Sequence, residues 1–170
     1  MLLQYLLEDF EEKEIIGNSD VKINKIEYDS KKIEDGDLFV AISGLKEDGH
    51  DYIEEAIKKG ASSIVVKENY DVPEVQNVTY VKVKDTRIAL AKLAAKYYDN
   101  PASKLKMIGI TGTKGKTTTA YMIRDILLAS GKKTGMIGTI YNTYGDKKIE
   151  AIRTSPESLD LQKLLKDMVD

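Results

Sequence analysis

The stretch Met-Ile-Gly-Ile-Thr-Gly-Thr-Lys-Gly-Lys-Thr-Thr-Thr at 107–119 sets glycines, lysines and hydroxyls at a spacing that suits a bound phosphate. Gly112 and Gly115 permit backbone angles that other residues resist and let the main chain approach an anion closely. Successive N–H groups around Thr113 and Lys114 can then point inward, and a helix that follows adds its positive end. Lys116 supplies a point charge for terminal phosphates, the Thr117 hydroxyl can reach a magnesium ion, and Thr118 adds a further donor. The usual pattern has a glycine where Ile110 stands, so this is a variant loop with two glycines three apart.

The context expected for such a loop is a buried strand before it and a helix after it. Residues 105–110 form a short apolar run suited to the strand, and 117–130 carry Ala120, Ile123, Ile126 and Leu127 at helical spacing before Gly131. Residues 134–139 are expected to form a second strand, parallel to the first. Gly145-Asp146 reads as a hairpin tip between Ile140 and Ile149. Ser155-Pro156 suits a helix start, with Leu159, Leu161, Leu164, Leu165 and Met168 following at helical spacing.

The first part of the chain reads as a small α/β layer. A helix is expected over 2–10. Residues 21–28 alternate, but the phase slips between Ile23 and Ile26, which predicts a bulge or two short strands. Strands are expected at 38–42, 63–66 and 78–83, and helices at 52–59 and from Asp85 or Thr86 to about Tyr98. Asn100-Pro101-Ala102-Ser103 breaks the pattern, because proline disfavours helix before it. A boundary placed there gives a domain over 1–100, a linker at 101–104 and a second domain from 105 to 170. A nucleotide-binding sheet needs several parallel strands, and the second half offers two and a hairpin. The chain is therefore expected to be a fragment that ends inside its second domain.

With 26 basic and 28 acidic residues among 170, the net charge of −2 gives no electrostatic case for nucleic acid or an anionic membrane. Any anionic ligand needs a local site. Without cysteine there is no disulfide framework, thiolate zinc site or cysteine nucleophile, which fits a cytoplasmic location. The start, Met-Leu-Leu-Gln-Tyr-Leu-Leu, lacks a basic leader and runs into Glu8 and Asp9, so it reads as an amphipathic helix rather than a signal peptide. No apolar run is long enough to span a bilayer. No protein partner is inferable.

A second constellation lies at 28–44. Asp29, Ser30 and Lys31 follow one strand, Asp35-Gly36-Asp37 turns into another, and Ser43-Gly44 leaves it, followed by Asp48-Gly49-His50-Asp51. Loops at strand ends suit a polar ligand. On composition alone they are ordinary turns. His50, the one histidine, reads as structural beside Asp48 and Asp51, and the ten tyrosines read as half-buried packing.

Together these segments resemble the Mur ligases of peptidoglycan synthesis, most of all the MurE type. That family has an Asp-Ser-Arg-x-Val…Gly-Asp-Leu-Phe-Val-Ala-x-x-Gly segment in an N-terminal uridine-nucleotide domain. Here Lys31 replaces its arginine, and Ser30 matches the serine that contacts uridine. The family's ATP loop, Gly-Thr-Asn-Gly-Lys-Thr-Thr, matches 112–118 with Lys114 in place of asparagine. A third match is Thr154-Ser155-Pro156-Glu157, against a Thr-Thr-Pro-Glu whose two hydroxyls bind the muramoyl substrate. Ser155 also suits the role of helix cap.

The resemblance implies an α/β protein with a small mixed-sheet UDP-substrate domain followed by the start of a P-loop-type ATP-binding domain. It implies an ATP- and Mg2+-dependent ligase that adds meso-diaminopimelate or L-lysine to UDP-N-acetylmuramoyl-L-alanyl-D-glutamate through an acyl phosphate. Lys116 would be catalytic, Thr117 the metal ligand, and Ser30, Thr154 and Ser155 the substrate contacts. Two other readings stay open. One is a non-catalytic module that holds a nucleotide sugar. The other is a ligase of the same superfamily, such as folylpolyglutamate synthase, which shares the phosphate loop but not the segment at 28–44.

Overall fold

A computed structural model describes residues 1–44, 47–73, 77–151 and 153–170. The chain divides into two compact units, Met1–Asp99 and Asn100–Asp170.

The first unit is built on five strands: β1 (Glu14–Ile16), β2 (Ile26–Glu27), β3 (Leu38–Val40), β4 (Ser63–Lys67) and β5 (Thr79–Val83). Their order in the sheet is β1-β5-β4-β3-β2. β2 to β5 run parallel and β1 runs antiparallel to β5. β3 is buried along its whole length and β4 at all but its last residue, as expected of central parallel strands covered on both faces. One face carries Phe39, Ile64, Val66 and Tyr80 under Ile53 and Ala56 of α2 (Ile53–Lys58). On the other side α3 (Thr86–Tyr97) packs on β4 and on α1 (Leu3–Leu6), burying Ala89, Leu90, Leu93 and Ala94. Asp85 caps α3, its carboxylate accepting from the Arg87 and Ile88 amides.

Several boundaries differ from the sequence reading, each for a local reason. α1 is a single turn rather than a helix over 2–10, because the chain turns after Leu7 and drops Phe10 into the core. The phase slip at 21–28 is a change of partner. Ile23 bonds the Met1 carbonyl through its amide, whereas Ile26 pairs with Leu38 of β3. The helix expected over 52–59 starts with a 3₁₀ turn, Gly49–Tyr52, and α2 ends at Lys58, just before Gly60. Gly60 has φ +101°, and a Cβ there would lie 2.8 Å from Asp35 Cα, so a side chain is excluded.

The second unit holds a 3₁₀ turn (Pro101–Lys104), α4 (Lys116–Ala129), β6 (Gly135–Met136), β7 (Tyr141–Tyr144), β8 (Lys147–Glu150) and α5 (Ser158–Val169). The three strands form an antiparallel sheet in the order β6-β7-β8. The β7–β8 hairpin turns at Gly145-Asp146, with Tyr144 opposite Lys147. α5 buries Leu159 and Leu165, packs on the 3₁₀ turn at Pro101, and ties to β7 through Asp167, which accepts from the Tyr144 hydroxyl at 2.9 Å.

Two expectations fail here. Residues 105–110 form no strand, and Met107 and Ile108 are each 56% exposed. The strand expected at 134–139 shortens to β6 and pairs antiparallel with β7, not parallel with 105–110. A parallel strand is stable only with neighbours to complete its ladder. None pairs with 105–110 among the described residues. The apolar residues of α4 are likewise only partly covered, and Ile126 is 69% exposed.

Candidate functional site

In the second unit the phosphate-loop sequence forms an open turn that leads directly into α4. Gly115, with φ +80°, is the N-cap of that helix, and Gly112 has φ +153°. Around Gly115 there is free space, so glycine is needed there for its backbone angle and not for room. The first intrahelical bond runs from the Thr119 amide to the Gly115 carbonyl at 2.9 Å. The amides of Lys116, Thr117 and Thr118 therefore have no carbonyl above them in the helix, which is the arrangement that attracts an anion. No side chain caps them.

The Lys116 ammonium folds back to donate to the Gly112 carbonyl at 2.6 Å. An anion in the loop would compete for the same ammonium, so the charge is already at the loop. Thr113, Lys114 and Thr118 are exposed, and Thr117 is half-buried. The loop thus presents amides, two ammonium groups and hydroxyls on one short segment. That donor set fits the phosphates of a nucleotide, and the Thr117 hydroxyl fits one ligand position of a magnesium ion.

Thr154 and Ser155 lie exposed in a bend before α5. Ser155 does not cap this helix. α5 begins at Ser158 with Glu157 at the N-cap, so the serine sits two residues outside. Pro156 holds its predecessor out of the helical region, and the helix starts where Leu159 can turn inward. Glu157 is instead paired with Arg153, at 3.6 Å.

In the first unit, Ser30 opens a 3₁₀ turn (Ser30–Lys32) just past β2. Asp29 caps it by accepting from the Lys31 amide at 3.0 Å. The loop after β3 emerges at the same, carboxyl-terminal edge of the parallel strands, where open α/β sheets bind ligands. Ser30 is 5% exposed, and its hydroxyl donates to Glu55 Oε2 at 2.9 Å. Lys59 closes the group by bonding Glu55 Oε1 at 2.9 Å and the Ser30 carbonyl at 3.1 Å. The Lys59 and Ser30 hydrogen bonds hold the Glu55 carboxyl below its ordinary range. Sequence reasoning missed Glu55 and Lys59. Their i,i+4 spacing was visible, but not that α2 would carry them to Ser30.

His50 latches two segments together. Its Nδ1 faces Asp48 Oδ1 at 2.6 Å, and its Nε2 accepts the Lys67 amide at 3.1 Å. Nε2 therefore carries no proton, and both ring nitrogens are in use. They fix the loop after β3 to the end of β4, beside a cleft of about 430 Å³ lined by Asp48, His50, Lys67, Asn69, Tyr70 and Asp71. Burial raises the Asp48 pKa, but the His50 amide and ring and the Ser43 hydroxyl outweigh it and hold the carboxyl at about 2. A carboxyl lowered from 3.8 stabilises the fold above that value, and the contribution is lost as pH falls through about 2. Asp48→Asn is expected to flatten the acid limb of stability in that window, as followed by denaturant titration at a series of pH values. An unchanged limb would mean the carboxylate carries no such linkage.

Residues 22–98 match the family described as "Mur ligase family, catalytic domain", and 110–170 match "Mur ligase middle domain". Over its whole length the chain is 51% identical to a UDP-N-acetylmuramoyl-L-alanyl-D-glutamate–2,6-diaminopimelate ligase of Clostridium perfringens, and covers 35% of that protein. The chain thus spans about a third of the length of the curated relatives it matches. A solved structure of a ligase of the same name aligns over 99% of this chain and 33% of its own, with a TM-score of 0.73 at 20% identity, a likeness of fold. A MurF ligase from Thermotoga maritima, solved in complex with ADP, aligns over 84% of this chain and 29% of its own, with a TM-score of 0.51 at 27% identity.

Proposed function

The chain belongs to the Mur ligase family, and on that premise we propose that it serves an ATP-dependent ligase that joins 2,6-diaminopimelate to UDP-N-acetylmuramoyl-L-alanyl-D-glutamate. The observation that carries this reading is the match of the whole chain, at 51% identity, to a ligase of that activity. In this reading residues 1–100 hold the UDP end of the substrate and 105–170 begin the ATP-binding domain, with 101–104 between them.

The residue roles rest on the family resemblance, and the geometry of the loop supports them. The free amides at the start of α4 and the Lys114 and Lys116 ammonium groups bind the nucleotide phosphates. Lys116 leaves the Gly112 carbonyl to neutralise charge on the phosphoryl group that moves to the substrate carboxylate. Magnesium, held through Thr117, would supply further charge neutralisation. Thr154 and Ser155 offer hydroxyls to the muramoyl part, and Ser30 anchors the uridine end. Remote anchoring of this kind lets binding energy hold the reacting carboxylate in place. No helix among the described residues is long and apolar enough to cross a membrane.

The test is phosphate release by the full-length protein supplied with ATP, the UDP-muramoyl dipeptide and an amino acid. Release that needs all three, with diaminopimelate preferred over L-lysine, is the expected result. Nucleotide-sugar binding without phosphate release would favour the non-catalytic module instead.

A further inference from the structure

We infer that Glu55, locked by Lys59, is a positioning residue that accepts the hydrogen bond of the Ser30 hydroxyl, so that Ser30 meets a ligand only as a hydrogen-bond acceptor. The inference rests on the proposal that the loop of Ser30 holds the uridine end of the substrate. It adds which part of that ligand Ser30 reads.

A serine hydroxyl has one proton and two lone pairs. The proton is committed to Glu55 Oε2 at 2.9 Å. An ionised carboxylate is the strongest acceptor available to it, and a neutral ligand atom does not displace such a bond without leaving the carboxylate short of a donor. Glu55 cannot swing away freely. Its other oxygen is held at 2.9 Å by the ammonium of Lys59, the C-cap residue of the same helix, and Lys59 is itself tied to the Ser30 carbonyl at 3.1 Å. The three residues form a closed ring of contacts around a side chain that is 5% exposed. What Ser30 has left is lone-pair capacity.

The chemical consequence is selective. A diphosphate offers only acceptors, so Ser30 has nothing to give it. Uridine offers donors: the imide N–H of the base and the ribose hydroxyls. Ser30 is assigned to one of these. An analogue that lacks the donor Ser30 reads would leave its remaining lone pairs without a partner, which is how a polar pocket rejects a close analogue.

The isosteric variant Glu55→Gln tests the direction of the bond. Lys59 can only donate, so the glutamine oxygen is drawn to Lys59 and its NH2 group turns to Ser30. The Ser30 proton is then pushed outward, toward a ligand donor. In the full-length ligase, UDP affinity measured by calorimetry is expected to fall about ten-fold in Glu55→Gln, as in Ser30→Ala, a loss typical of one buried hydrogen bond. The double variant Glu55→Gln/Lys59→Met frees the amide to flip, and most of the affinity is expected to return, a rescue that a merely structural role would not give. KM for the UDP substrate should rise in Glu55→Gln while kcat at saturation holds. N3-methyl-UDP and the 2′- and 3′-deoxy forms then separate the two donors, because Ser30→Ala should cost nothing further for the analogue that lacks the donor it reads. If Glu55→Gln binds UDP as the unaltered enzyme does, or Ser30→Ala weakens every analogue equally, the inference falls and the uridine site stands. If Ser30→Ala leaves UDP binding unchanged, the uridine site falls with it.

Discussion

Lys116→Ala should remove ligation from the full-length enzyme while leaving binding of the UDP substrate intact. The side chain sits at the first position of α4, and its ammonium closes on the Gly112 carbonyl at 2.6 Å inside the loop. Nothing in the packing depends on it, since the loop is open and the contact is exposed. Alanine therefore removes a charge from the loop without disturbing the helix, whose amides remain to bind phosphate. The ground state keeps part of its affinity, and the transition state loses the group that meets the charge on the moving phosphoryl. Loss of one preorganised electrostatic partner of this kind costs about 10²- to 10³-fold in kcat. Measured side by side, kcat should collapse, ATP affinity should fall less, and UDP-substrate affinity should not move. Equal loss of all three would mean that the substitution damages the fold. An unchanged kcat would remove Lys116 from the chemistry.

The turn into α4 was legible because its signal is local. Two glycines, a lysine and a helical pattern within twenty residues dictate a turn into a helix whatever surrounds them, and Gly115 takes the left-handed backbone angle that the sequence suggested. The central strands β3 and β4 were legible for a similar reason, as continuous apolar runs that only a doubly covered sheet can bury. The failures lie where structure depends on a partner. Residues 105–110 have the composition of a strand, but a strand is a pairing and none is made with them among the described residues. The phase slip near Ile23 had two explanations in sequence. The answer, a change of partner, lay in the docking of Met1 twenty-two residues earlier. The Ser30–Glu55–Lys59 ring was invisible because nothing in the segment at 28–44 says which helix will cover it.

Asp37→Ala is expected to destabilise the first unit by about 2–4 kcal/mol, the cost of leaving two amides without partners. In sequence this residue belongs to the same Asp-Gly-Asp turn that suggested a ligand loop, but its carboxylate points inward and is consumed there. Asp37 is 1% exposed. Its Oδ1 accepts from the Lys25 amide at 3.2 Å and its Oδ2 from the Glu34 amide at 2.8 Å, with the Lys25 ammonium 3.5 Å away. The Asp37 carbonyl accepts from the Ser62 amide at 2.9 Å, which fixes the start of β4. One side chain thus joins the entry to β2, the turn before β3 and, through its backbone, the entry to β4. Alanine deletes both carboxylate bonds of a buried side chain. Asparagine keeps one acceptor but turns an NH2 group on an amide donor, so Asp37→Asn should recover only part of the loss. Denaturant unfolding of the two variants decides the matter. The midpoint should fall furthest for alanine and less for asparagine, at an unchanged slope. A midpoint unmoved by Asp37→Ala would mean that the turn is held by its backbone alone, and the carboxylate would then be free to face a ligand.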